Sequence, residues 1–132
     1  MKIHGKAIKY GDSINTDLII PSKFLVYTNP EDLAKYAMVG IDPDFSLKVK
    51  KWNIIIAGNN FGCGSSREQA PVALKYSGVK CVISDSFARI FYRNAINIGL
   101  PILEYDGISQ IIKEGDELDI DLKIGLIRDL TL

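Results

Sequence analysis

Histidine is almost missing from this chain. His4, near the N-terminus, is the only one in 132 residues. That argues against a Ser-His-Asp hydrolase or a histidine metal cage built within one chain. Cysteine is nearly as scarce. Cys63 and Cys81 stand too far apart for a Cys-x-x-Cys unit, and fit neither a disulfide framework nor a zinc site. Net charge is absent too: sixteen basic residues balance sixteen acidic ones with no dense basic block, which speaks against a nucleic-acid or membrane surface. No apolar run approaches the roughly 20 residues of a membrane span. The opening MKIHGKAIKYGDS lacks the apolar core of a signal peptide, so a cytoplasmic location is expected.

What remains is one globular domain of ordinary composition, 47% hydrophobic and 24% charged, expected to span residues 1–132. Ile54-Ile55-Ile56-Ala57 is a short continuous apolar run, the pattern of a strand covered on both faces, and Cys81-Val82-Ile83-Ser84 repeats it. Between them Glu68 to Ser77 reads as a helix stopped by Gly78, with Pro71 near its first turn. Phe87, Ile90, Phe91, Ala95 and Ile98 then recur at helical spacing up to Gly99, and Leu100 to Glu104 gives a third strand. The order is βαβαβ, hence an α/β fold with a mostly parallel central sheet and helices packed on it. The flanks add further β-strands. Ile3, Ala7 and Ile8 and then Leu18-Ile19-Ile20 suggest short strands and turns, and Asn29-Pro30-Glu31-Asp32 starts a helix. Leu118, Ile120, Leu122 and Ile124 alternate with Asp119, Asp121 and Lys123, a half-exposed strand entering a hairpin through Gly125.

The chemistry-bearing stretch is FGCGSSRE, Phe61 to Glu68, at the junction of a buried strand and a helix. Two readings stand here. Backbone N–H groups at a helix start favour an anion, Gly62 and Gly64 let a ligand approach the main chain, and Arg67 adds a fork matched to a carboxylate or phosphate. The alternative is a plain N-cap, with Ser65 and Glu68, or Ser66 and Gln69, as a capping box. Capping leaves the other serine, both glycines and the arginine without a reason. Other phosphate and nucleophile motifs fail. A P-loop needs lysine after its last glycine, a dinucleotide fingerprint needs glycine where Arg67 stands, and a nucleophile elbow needs glycine two places beyond its serine.

Four segments carry a resemblance: DSINTDLIIPSKFL (Asp12 to Leu25), GNNFGCGSSREQAPVAL (Gly58 to Leu74), SDSFARIFYRNAINIGLP (Ser84 to Pro101) and the closing β region to Asp129. Together they resemble the small subunits of the aconitase family, on its isopropylmalate dehydratase branch, over nearly the whole chain. The resemblance implies a swivelling β/β/α domain serving a stereospecific dehydration and rehydration of a 2-hydroxy dicarboxylic acid, in leucine biosynthesis on that branch. It implies a partner, the large subunit, which carries the [4Fe-4S] cluster. This chain would bind no cofactor or metal itself, in keeping with its few cysteines. By matching position Ser65 would take the proton from the carbon next to a carboxylate, Ser66 and Arg67 would bind substrate carboxylate, and Asp17 would orient a site group or serve a turn. The loop around Leu25, Val26 and Tyr27 would select an apolar substituent, since family members acting on tricarboxylates resemble it but carry arginine where Val26 stands. A competing reading makes that loop a buried strand end. Arg89 and Arg93 are expected to be solvated or interface residues. A citramalate- or homoaconitate-type hydro-lyase, and a non-catalytic anion-binding module, are the alternative functions.

Overall fold

The computed structural model describes residues 1–131. Its centre is a six-stranded sheet in the order β4-β3-β2-β1-β5-β6. Strands β1 (Lys2–Lys9), β2 (Ile54–Ala57), β3 (Cys81–Ser84) and β4 (Ile102–Glu104) are parallel neighbours, with Ala7 opposite Ile54, Ile54 opposite Cys81 and Val82 opposite Ile102. Strands β5 (Glu117–Asp121) and β6 (Leu126–Asp129) form the antiparallel part, β5 lying against the other edge of β1 with Ile3 opposite Ile120.

The central strands are apolar at every position because both faces are covered. Alternation sends Ile55, Ala57 and Val82 into one core and Ile54, Ile56 and Ile83 into the other. The first core includes residues of α2 (Pro30–Ala34), α3 (Phe45–Lys48), α4 (Gln69–Ser77) and α5 (Arg89–Asn97). The second lies between the sheet and α6 (Ile108–Ile111), which contributes Ile108. In β5 only Leu118 and Ile120 are buried, so that strand keeps the period of two. His4 stands opposite it, 2.6 Å from Asp119 and 2.9 Å from Glu117, and the hydrogen bond to Asp119 holds its ring more basic than usual.

Several expectations hold in detail. Strands β2 and β3 have the expected limits, the Asn29 side chain caps α2 by accepting from Glu31 and Asp32, and Gly78 ends α4 at φ +112°. Others need correction. Leu18 and Ile19 belong not to a strand but to a helical turn, α1 (Thr16–Ile19), because the Asn15 side chain accepts from Leu18 N–H and closes it. Both Ile19 and Ile20 are nevertheless fully buried. Helix α4 begins at Gln69, and its cap residue Glu68 makes no side-chain bond, so no capping box forms and neither serine caps the helix. Ile90 is 53% exposed, leaving Phe91 and Ala95 as the buried face of α5. The alternation of the last strands stops at Asp121, whose side chain accepts from Lys123 N–H, and the turn leaves Ile124 69% exposed.

Candidate active site

Strands β1 and β2 end side by side, and the segments that follow them stay paired. Gly58 N–H donates to Gly11 C=O at 3.1 Å and Ser13 N–H to Asn59 C=O at 2.8 Å. Asn59 N–H donates to the Asp12 carboxylate at 2.7 Å, and Gly62 N–H to Ile14 C=O at 2.8 Å. Thr16 N–H then donates to Cys63 C=O at 2.8 Å and its hydroxyl to Ser65 C=O at 2.9 Å. Arg67 closes the series on Asp17 at 2.9 Å. The glycine-rich loop is therefore fastened along one side to residues 11–17.

Its other side is fastened to the start of α5. Phe61 is fully buried, with its ring edge-on to Phe87 and Phe91 at 6.0 and 5.3 Å. Its N–H donates to Ser86 C=O at 3.0 Å and its C=O accepts from Ala88 N–H at 2.9 Å. Gly62 and Gly64 have φ of +83° and +92°, values that suit only glycine well. At Gly62 space matters as well, since a Cβ there would run into the Phe91 ring.

The outcome is a depression of about 200 Å³ between loop and helix. Ser65, Ser66 and Arg67 line it from the loop, Thr16 from α1, and Arg89 and Asn94 from α5. Ser65 and Ser66 are exposed, whereas the Arg67 side chain is only 16% exposed. One guanidinium nitrogen of Arg67, Nη1, bonds both Asp17 and Ile20 C=O at 2.9 Å. The hydrogen bond from Arg67, helped by one from Ser22 N–H, holds the Asp17 carboxyl below its usual range. Asp17 thus bonds Arg67 and the Ser22 turn at once. Among the described residues the amides of Gly64, Ser65 and Ser66 donate to no other group. Two hydroxyls, three backbone donors and a fixed cation in one place make an arrangement suited to a carboxylate or a developing oxyanion.

The structure does not bring every candidate together. Leu25, Val26 and Tyr27 follow a 3₁₀ turn, Ser22–Phe24, and lie outside the wall of this depression. They are not a strand end. Val26 is 77% exposed, while Tyr27 stacks on Tyr36, which also stacks on Phe24. Their link to the site is Asp17, which accepts from Ser22 N–H and from Arg67 together. Thr16 and Asn94 were not singled out from sequence, and Arg89, expected at a solvated or interface position, forms part of the wall. Ile90 and Asn94, a helical turn apart, could have signalled this face of α5. A larger depression, about 640 Å³, lies along α5 between Phe87, Arg93 and Glu104. It shares Arg89 with the smaller one but contains neither serine, so size does not mark the chemistry here.

No three His, Cys, Asp or Glu side chains among the described residues could hold a metal ion together. Burial pushes the Cys81 thiol up to about 12, and Cys63 is half-buried in the loop. No helix among the described residues is long and apolar enough to cross a membrane.

The model of the aconitase C-terminal domain matches residues 9–107. The isopropylmalate/citramalate isomerase small subunit of Methanocaldococcus jannaschii is 57% identical over 129 residues, 98% of this chain and 77% of that protein. The 2,3-dimethylmalate dehydratase small subunit of Eubacterium barkeri is 56% identical over 131 residues, 99% and 80% of the two chains. A crystal structure of 3-isopropylmalate dehydratase from Methanocaldococcus jannaschii superposes with a TM-score of 0.90 at 54% identity, covering 96% of this chain and 75% of that one.

Proposed function

This chain belongs to the aconitase C-terminal domain family, among its hydro-lyase small subunits of the isopropylmalate isomerase type, and we propose that it serves the conversion of 2-isopropylmalate to 3-isopropylmalate through 2-isopropylmaleate in leucine biosynthesis. Water leaves as a hydroxyl from one carbon and a proton from its neighbour, then returns with the two positions exchanged. Ser65 takes and returns the proton. A serine hydroxyl is a poor base in water, so the site must stabilise its alkoxide. Backbone donors in a dry site are worth about 3 kcal/mol each, and the reading is supported by the amides of Gly64, Ser65 and Ser66, which donate to no other group among the described residues. Ser66 and Arg67 hold a substrate carboxylate, Arg67 through the N–H groups that Asp17 and Ile20 leave available. The observation that carries this reading is the convergence of both serines with an arginine already oriented by Asp17.

The site is open on this chain and contains no acid to assist the departing hydroxyl. Both deficits point to the large subunit as partner, closing the site and carrying the [4Fe-4S] cluster that activates the hydroxyl. Among the described residues no three His, Cys, Asp or Glu side chains could hold a metal ion together. The domain works as a single cytoplasmic swivel unit over residues 1–132.

Leu25, Val26 and Tyr27 form the selecting surface for the substrate's alkyl group. Support comes from the exposure of Val26 and from the bond between Ser22 and Asp17 that ties this turn to Arg67. The named substrates of the two relatives are alkyl-substituted malates without a third carboxylate, which suits an apolar surface. Citramalate and 2,3-dimethylmalate are therefore the second reading, since size discrimination in an apolar pocket is only about 1–3 kcal/mol per methylene. The test is reconstitution with the cognate large subunit and kcat/KM on 2-isopropylmalate, citramalate and homocitrate. We expect isopropylmalate to be favoured over homocitrate by about 100-fold or more, because an unpaired carboxylate would be desolvated. Val26→Arg should move preference toward the tricarboxylate. A wild type that prefers homocitrate removes this view of the turn, and absence of all dehydratase activity favours a non-catalytic anion-binding module.

A further inference from the structure

A serine that abstracts a proton must be held still, yet Ser65 is exposed and its side chain makes no bond among the described residues. What fixes it is the main chain. The Ser65 carbonyl accepts two hydrogen bonds, from Arg67 N–H at 2.9 Å and from the Thr16 hydroxyl at 2.9 Å. Thr16 also holds the segment two residues earlier, its N–H donating to Cys63 C=O at 2.8 Å. It is 2% exposed and opens α1, where its own carbonyl accepts from Ile20 N–H, so it is anchored before it touches the loop. Between its two contacts lies Gly64, the most conformationally free residue of the loop, at φ +92°.

We propose that Thr16 is a positioning residue for the reaction, its buried hydroxyl and amide clamping Cys63 and Ser65 on either side of Gly64 so that the Ser65 hydroxyl stands fixed over the depression. This inference rests on Ser65 being the base. Arg67 holds the Ser65 carbonyl from within the loop and moves with it; Thr16 holds it from a different part of the chain. Loss of the Thr16 hydroxyl therefore releases Ser65 about Gly64 while leaving the loop attached through Gly62 and Arg67. Misplacement of a reacting group by about 1 Å costs on the order of 100-fold in rate, and partial release costs less.

The experiment measures kcat and KM of the reconstituted two-subunit enzyme with Thr16→Val, Thr16→Ser and Ser65→Ala. Thr16→Val, which keeps the shape and loses the hydroxyl, should lower kcat about tenfold or more with KM changed less than about twofold. Thr16→Ser, which keeps the hydroxyl, should stay within about threefold of wild type. If Thr16→Val prevents assembly, Thr16→Ala carries the same expectation and decides in its place. Inactive Ser65→Ala beside a Thr16→Val enzyme of normal kcat overturns the positioning role alone. So does a Thr16→Ser enzyme as impaired as Thr16→Val, which would mean the side chain merely packs. An active Ser65→Ala enzyme overturns the assignment of the base, and the positioning role falls with it.

Discussion

Two connections in this fold invite comparison because everything around them is alike. Strands β2 and β3 are each four buried residues, and α4 and α5 that follow are each nine residues. The link from β3 to α5, Asp85 to Ala88, is short, and three of its four amides are bonded to neighbouring segments. Asp85 N–H donates to Ala57 C=O, Phe87 N–H to the Glu104 carboxylate and Ala88 N–H to Phe61 C=O. The link from β2 to α4, Gly58 to Glu68, is longer, carries two glycines at positive φ and leaves consecutive amides and two hydroxyls exposed. Both links leave the same end of the parallel sheet, where ligands commonly bind in α/β folds. The short one acts as the wall against which the long one is braced. The long link thus leaves more of its donors free for a ligand, and the short one, mostly bonded, supports it.

The largest effect that could break this contrast is on turnover. Ser65→Ala in the long link should lower kcat of the reconstituted enzyme by about 10²–10⁴, the usual range for a lost general base. Ser86→Ala in the short link removes a hydroxyl that accepts from Asn60 N–H and donates to the Asn59 side-chain oxygen, a bracing role only, so it should cost less than about tenfold. Equal losses in steady-state assays would erase the division of labour.

Next in size is an effect on stability. Gly62→Ala combines a left-handed φ with a collision against Phe91, a ring buried in α5, and should destabilise by about 3 kcal/mol. Gly64→Ala meets the same φ problem, but its nearest neighbour, the Asn15 side chain, is at an ordinary 3.4 Å, so about 1 kcal/mol is expected. Urea midpoints of the two variants check the difference. Similar values would mean that the bracing against α5 contributes little.

The smallest effect concerns Asp17. Its folded carboxyl is lowered by Arg67, so the pair adds stability above the unfolded pKa of about 3.9 and loses it as pH falls through the lower folded value. Asp17→Asn should therefore sit slightly below wild type in urea midpoint at pH 7, with the gap closing toward pH 3. A gap that does not change with pH would show that the Ser22 turn, and not the charge pair, is what Asp17 provides.

Much of the sheet was legible because its strands obey local rules. Continuous burial marks β2 and β3, alternation marks β5, and a glycine ends α4. Leu18 to Ile20 misled because three apolar residues carry no period, and the deciding group, the Asn15 side chain, precedes them. The serines offered a capping reading because capping boxes are local patterns, whereas the Thr16 hydroxyl that holds the Ser65 carbonyl is remote in sequence. Of the site, the loop itself was readable and its fastening was not. Thr16 bonds a residue 49 positions away, and such a contact leaves no periodic trace in either segment. Arg89 and Asn94 were hidden for the same reason, since only the packing of α5 beside the loop makes them part of the depression's wall.

The place of β1 in the sheet has a bearing on biosynthesis. It emerges from the ribosome before every strand it pairs with, yet it ends between β2 and β5. Its parallel neighbour follows in the first half of the chain, but its antiparallel neighbour is 115 positions away, as the contact of His4 with Asp119 shows. At about 5–20 residues per second of synthesis, one edge of β1 stays open for seconds, the condition under which strands pair with the wrong chain. The strand is equipped for that interval: Lys2, His4 and Lys6 alternate with buried Ile3, Gly5 and Ala7, so the first part of the unpaired ribbon carries two lysine charges and an imidazole on one face. Lysines that do little for the finished sheet would thus protect the nascent one.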